Sequence, residues 1–291
     1  MTQIIRALSE IAGQYDALFC DLWGCLHNGV APFPAAVAAL QGFRAGGGKV
    51  ILLTNAPRPK SSVVRQLEKM GLPRDTWDDV ATSGDAAQYA MLTGAVGQRV
   101  YHIGAPKDEP FFTDFEDDIA HLVADAGITR VPLDEAEGIV CTGLADDLTE
   151  TPDDYRAKLL MGKTKELKML CANPDIVVDM GDKRLWCAGA LARDYEEMGG
   201  TALYFGKPHP PVYDLARRRL GLDDPRILCV GDGIATDVQG GVAEGLDTLF
   251  VSGGIATDHF GPDSDNPNKD LLEKWLSDQQ LSPSYTIGHL R

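Results

Sequence analysis

The chain is poor in the features that would place it at once. No apolar run comes near the roughly 20 residues of a membrane-crossing helix, and the opening stretch MTQIIRALSEIAGQYD has neither the basic nor the continuous apolar region of a secretory leader. Both absences predict a cytoplasmic protein with no membrane partner. Cationic side chains are scarce: 27 Lys and Arg against 43 Asp and Glu leave a formal charge of −16. A field of that sign repels phosphate backbones and argues against a nucleic-acid partner. Any anionic small-molecule substrate must therefore be captured by local positive charge. The six cysteines, Cys20, Cys25, Cys141, Cys171, Cys187 and Cys229, form no CxxC pair, so zinc and dithiol motifs are missing. Most lie in apolar, strand-like runs and are expected as reduced, buried thiols.

What is present is an alternation of strand-like and helix-like segments over 291 residues, of which 44% are hydrophobic, enough for a sizeable core and two domains. Such alternation predicts βαβ units, a mainly parallel sheet and an α/β fold. A strand from Ala17 to Cys20 ends at Asp21. Pro34 opens a helix whose Val37, Leu40 and Phe43 share a face and which Gly46, Gly47 and Gly48 end. Lys49 to Thr54 then runs into TNAPRP, where Pro57 and Pro59 start the next helix. From about Ala81 the texture changes to a short polar helix, a strand RVYHIG, the acidic DEPFFTDFEDD, a strand EGIVCTGL, a further helix and KMLCANPD. From Leu203 it resembles the first part again, with a strand into GKPHP, the strand RILCVGDG, a helix from Thr236 and the strand DTLFVSGG. The simplest topology is a core of residues 1–80 and 203–291, with its two pieces sharing one sheet, interrupted by an inserted α/β cap of residues 81–202.

Four predicted strand ends carry complementary groups: Asp21, Thr54 with Asn55, Lys207, and Asp232 with Asp237. Open parallel sheets bind ligands at their carboxyl edge. A phosphoryl group in transfer spreads charge over its equatorial oxygens, so it needs positioning and positive potential more than covalent help. A carboxylate cluster holding Mg²⁺ beside a lysine and hydroxyl or amide donors supplies both. Each residue alone has a plainer reading: turn acid for Asp21 and Asp232, turn formers for Thr54 and Asn55, a solvated lysine for Lys207, and helix charge for Asp237. GDGIATDVQGG is no dinucleotide loop, because Asp stands where pyrophosphate needs small residues.

In these segments the chain resembles the haloacid dehalogenase superfamily of phosphohydrolases, and within it class IIA, whose members carry a large α/β cap after the second motif. FCDLWGCLHNG looks like motif one, LLTNAPRP like motif two, FGKPHPPVYDLA like motif three and VGDGIATDVQGG like motif four, in family order. CANPD, in the expected cap, is similar to the class IIA NPD segment. The resemblance implies a Rossmann-like three-layer core plus inserted cap, and an Mg²⁺-dependent phosphatase working through an aspartyl-phosphate. Asp21 would attack phosphorus, Thr54 and Asn55 would hydrogen-bond the phosphate oxygens and the nucleophile, and Lys207 would neutralise the phosphoryl charge. Asp21, the main-chain carbonyl of Trp23 and Asp232 would hold the metal, with Asp237 bound directly or through water. Class IIA relatives often dimerise through their caps, which leaves room for a homodimer, although no clear apolar seam is visible.

Trp23 departs from the pattern. Most of the superfamily has there a second aspartate that protonates the leaving group and then activates water, and Trp has no titratable group for either step. His27 is the surrogate acid/base that the motif context offers, with His209 the next nearest; the plainer reading has His27 lining the entrance against Trp23. Leaving groups that need no proton, such as nitrophenolate, should accordingly be favoured. The alternative function is a phospholigand-binding or regulatory protein with little turnover. Carbon–halogen chemistry would leave Asp232 and Asp237 unexplained. Arg58 points either at phosphate or into solvent, and CANPD reads as a structural turn.

Overall fold

The structure is a computed structural model that describes residues 2–180 and 183–291. Along the chain it runs β1 (Gln3–Ile4), β2 (Ala17–Cys20), α1 (Pro34–Ala45), β3 (Lys49–Thr54), α2 (Lys60–Met70), β4 (Asp79–Thr82), α3 (Ser83–Leu92) and β5 (Arg99–Ile103). Three one-turn helices follow, α4 (Pro110–Thr113), α5 (Asp117–Ala120) and α6 (Val123–Ala126), then β6 (Thr129–Arg130), β7 (Gly138–Cys141), α7 (Arg156–Thr164) and β8 (Lys168–Cys171). Next come β9 (Val177–Met180), β10 (Lys183–Trp186), α8 (Ala188–Glu197), β11 (Thr201–Tyr204), α9 (Pro210–Leu220) and β12 (Ile227–Gly231). The chain closes with α10 (Gln239–Ala243), β13 (Asp247–Val251), α11 (Lys269–Gln279) and β14 (Tyr285–Ile287).

Residues 1–54, 66–81 and 213–291 form one compact unit, and residues 55–65 and 82–212 a second. This division differs from the expected boundaries in two segments, Asn55–Arg65 and 203–212, which cluster with the second unit, besides the single residue Ala81, which falls in the first. Local bonds explain both. The Lys60 N–H donates to the Asp85 carboxylate at 2.9 Å and the Gly84 N–H to the Ala56 carbonyl at 3.0 Å. β11, expected in the core sheet, pairs instead with β8, Leu203 opposite Leu170.

The first unit is built on a seven-stranded sheet in the order β1-β14-β13-β12-β2-β3-β4, with its mapped pairs parallel. The register sets Val230 beside Cys20 and Cys20 beside Leu52. Strands β2 and β12 are buried along their whole length. From β2 the chain moves outward through β3 and β4, and later outward the other way through β12, β13 and β14. The pair β2/β12 is thus the switch point where a parallel sheet opens a crevice at its carboxyl edge. Helix α1 follows the expected pattern, with Pro34 in its first turn and Val37, Leu40 and Phe43 buried. Edge strand β1 had no signal in the sequence, being two exposed residues paired only through backbone to β14.

The second unit has a five-stranded sheet, β11-β8-β7-β5-β6, with parallel pairs, and a two-stranded antiparallel ribbon, β9–β10. Alternation across the pleat divides its core: Ile139, Cys141, Met169 and Cys171 enter one cluster, Val140 and Leu170 the other. Both faces are covered, as parallel sheets require. Helix α3, expected to be polar, is mostly buried, with Ser83 through Gln88 covered and Thr82 capping the Asp85 N–H. No helix among the described residues is long and apolar enough to cross a membrane. The α/β class and mainly parallel architecture are as the alternation predicted.

Candidate active site

In the first unit, strand β2 delivers Asp21 to the switch point, with the Asp21 N–H donating to the Val230 carbonyl at 2.8 Å. Asp232 follows β12 directly and Thr54 ends β3, so three predicted residues stand at the carboxyl ends of three neighbouring strands. Asp21 and Asp232 are 8% and 9% exposed. A ligand atom from each of Asp21, Cys25 and Asp232 lies within 4.8 Å of the others. Gly24 takes φ +73°, and a Cβ there would overlap the Asp232 carboxylate. A Cβ on Gly254 would do the same from the loop after β13, and the Ile255 N–H donates to Asp232 Oδ2 at 2.8 Å. Asp232 is therefore held between two glycines with one oxygen engaged by backbone.

Asp237 is buried but is not one of the three clustered residues. Its Oδ2 accepts the Gly233 N–H at 3.1 Å and the Thr236 hydroxyl at 3.2 Å. The helix expected from Thr236 begins earlier, as a wide π turn over Ile234–Val238 that runs into α10.

Cys25 was expected only as a buried thiol. Burial pushes it far up, and the charges of Asp232, Asp21, Cys20 and Asp237 add to that, so it stays a neutral thiol. The other two groups of the cluster offer carboxylate oxygens, hard ligands that suit Mg²⁺. Two buried carboxylates so close repel each other unless a cation stands between them. Asp21 and Asp232 thus fit a divalent, oxygen-seeking metal.

Trp23 is half-buried, its ring over Gly29 and edge-on to His27 with centroids 5.2 Å apart at 71°. His27 is 1% exposed and its Nδ1 accepts the Gly29 N–H at 3.0 Å. Burial lowers its pKa to about 4, so the imidazole is neutral near pH 7, with Nε2 carrying the hydrogen. The structure therefore places His27 against Trp23 as a neutral ring.

The second unit brings Asn55 and Lys207 together, both buried. The Lys207 N–H donates to Asn55 Oδ1 at 2.7 Å, and Asn55 Nδ2 donates to the Lys207 carbonyl at 3.0 Å and to Asp175 Oδ1 at 2.8 Å. The carboxamide, expected on the phosphate oxygens, is occupied with peptide and carboxylate partners because motif two runs directly beside motif three. CANPD forms the expected turn, the Asp175 N–H donating to Asn173 Oδ1 at 3.0 Å. Its link to Asn55 had no signal in the sequence. Arg58 is half-buried; burial lowers its pKa while the Asp108 charge opposes that. His209 stacks on Tyr204 at 4.8 Å, and burial lowers its pKa.

One family model, haloacid dehalogenase-like hydrolase, matches residues 18–116, and another, HAD-hydrolase-like, matches residues 204–274. A haloacid dehalogenase-like hydrolase of Brucella suis has a solved structure 38% identical in sequence, with a TM-score of 0.84, covering 99% of this chain and 100% of that one. The 5′-nucleotidase YutF of Bacillus subtilis is 25% identical over 267 residues, 90% of this chain and 98% of its own. A glycerol phosphate phosphatase of Mycobacterium tuberculosis, solved with calcium, is 26% identical with a TM-score of 0.62, covering 84% of this chain and 68% of that one.

Proposed function

Since the chain belongs to the haloacid dehalogenase-like hydrolase family, we propose that it is an Mg²⁺-dependent phosphohydrolase acting on a small phosphorylated metabolite. The observation that carries this reading is the approach of Asp21 and Asp232 at the switch point of the first sheet, with ligand atoms within 4.8 Å. An isolated carboxylate at a strand end would be a turn acid, whereas two buried ones on adjacent strands call for a cation. The relatives' names, a 5′-nucleotidase and a glycerol phosphate phosphatase, share a phosphomonoester and differ in leaving group. That supports the reaction class and leaves the alcohol open.

In this reading an Asp21 oxygen attacks phosphorus, the P–O bond to the leaving group breaks, and an aspartyl-phosphate forms for water to cleave. Thr54 donates its hydroxyl to a phosphate oxygen, and the Lys207 ammonium offsets charge on the transferring group. Asp21, Asp232 and the Trp23 carbonyl would hold the metal, with Asp237 holding the loop after β12. The chemistry that Mg²⁺ would supply there is charge neutralisation on the carboxylates and the phosphoryl group. Six free, buried cysteines suit a reducing compartment such as the cytoplasm.

A second reading, a phospholigand-binding protein with little turnover, is favoured by one observation: the position of the usual proton donor holds an indole packed on a neutral, buried imidazole. One experiment separates the two, a phosphatase panel with and without Mg²⁺ on wild type, Asp21→Asn and Trp23→Asp. Mg²⁺-dependent turnover abolished by Asp21→Asn supports the hydrolase. An inert wild type that gains activity through Trp23→Asp supports the binding protein.

A further inference from the structure

Asn55 grips the peptide on both sides of Lys207, accepting its N–H at 2.7 Å and donating to its carbonyl at 3.0 Å. A carboxamide turned end for end fills the same space but would set NH₂ against N–H and oxygen against oxygen. Asp175, 2.8 Å from Asn55 Nδ2, decides between the two orientations, because an ionised carboxylate only accepts hydrogen bonds. The turn around Asp175 has main-chain bonds of its own: the Asp175 N–H donates to Asn173 Oδ1, and its carbonyl accepts the Gly189 N–H at 3.1 Å. Packing leaves little slack, since a Cβ on Gly206 would overlap Asn55 Oδ1 and stand 2.7 Å from both Pro174 Cδ and Ser83 Oγ. The Asp175 carboxylate thus reaches beyond its own turn to Asn55, 120 residues away in the chain.

We propose that Asp175 is a positioning residue for Lys207: through the Asn55 carboxamide it fixes the peptide from which the lysine reaches the phosphoryl group. The proposal rests on the phosphohydrolase reading for the role of Lys207. It makes the NPD turn part of the phosphate site, with a charge-assisted bond in place of a contact to substrate.

The test is orthophosphate binding by calorimetry on the whole chain with Mg²⁺, alongside KM for nitrophenyl phosphate and the melting temperature. Asp175→Asn keeps the shape but removes the charge and the acceptor-only character; it is expected to raise both the phosphate Kd and KM about tenfold, with Tm within about 2 °C. In a Lys207→Ala background the same change is expected to add less than about twofold. Asn55→Ala cuts the link from its other end and is expected to weaken phosphate to the same degree, which keeps the test open if Asp175→Asn does not fold. Unchanged phosphate binding in folded Asp175→Asn, or equal weakening with and without Lys207, overturns the proposal. If wild type binds orthophosphate but turns nothing over, the hydrolase reading fails while the binding comparison still decides this one. If wild type binds no orthophosphate, Lys207 has no phosphate role and the two fall together.

Discussion

Asp232 Oδ2 accepts the Ile255 N–H at 2.8 Å, tying a carboxylate at the end of β12 to the loop that follows the neighbouring strand β13. Gly254 on that loop and Gly24 on the loop after β2 press on the same carboxylate. Three strand ends thus share the task of aiming one side chain.

Gly24 is the most sensitive point of this arrangement. Gly24→Ala adds a methyl group at φ +73° where the Asp232 carboxylate already stands, a left-handed conformation that alone costs about 1 kcal/mol. A rise of about tenfold or more in the Mg²⁺ concentration for half-maximal activity is expected, read from a magnesium titration at fixed substrate. An unchanged titration would detach Asp232 from the metal.

Replacing Asp21, the proposed nucleophile, separates catalysis from stability. Asp21→Asn removes the attacking oxygen and is expected to abolish turnover, but it also removes one of two buried like charges. In metal-free buffer the variant is therefore expected to melt a few degrees above wild type, about 2 to 4 °C for each 1 kcal/mol relieved. Thermal denaturation in EDTA measures this; a lower Tm would contradict the repulsion argued for the cluster.

The proposed function makes the choice of leaving group depend on Trp23. With an indole where a proton donor usually stands and a neutral His27 behind it, nitrophenyl phosphate is expected to exceed an alkyl phosphate in kcat/KM by about 10² or more. Trp23→Asp should narrow that gap by raising the alkyl substrate. Equal efficiency of wild type on both substrates at one pH would reveal another acid.

His27 sets a pH dependence whose sign follows from its burial. Its pKa is lowered to about 4, from about 6.5 in the unfolded chain, so below pH 6.5 the unfolded state takes up a proton that the folded state refuses. Stability is then expected to fall as pH drops from about 6.5 to about 4, by about 3 kcal/mol from this residue. His27→Asn, which keeps an acceptor for the Gly29 N–H, should flatten that slope. Urea denaturation of both proteins across the interval is the measurement.

Much of the fold was legible because helix and strand periodicities are local. Val37, Leu40 and Phe43 mark a helix face wherever the helix packs, and the apolar run before Asp21 reads as a buried strand in any parallel sheet. The failures are equally local in cause. Strand β11 looks like any short apolar run, and only its pairing with β8 assigns it to the second sheet. Asn55 carries polar atoms suited to a phosphate as well as to a peptide, and its partners, Asp175 and Lys207, lie 120 and 152 residues away.

By itself the amino-acid order determined the α/β alternation and the set of acids and the lysine near strand ends, since composition and short-range spacing express these, while the reading of Trp23 as a missing proton donor came from the family resemblance. Only the tertiary structure decided that Asp21 and Asp232 share a switch point, that Cys25 lies close to them, and that Asn55 hydrogen-bonds the Lys207 peptide. Those outcomes depend on strand order and on contacts between distant segments, and hydrogen bonds and Coulomb forces act over a few ångströms of space whatever the separation along the chain.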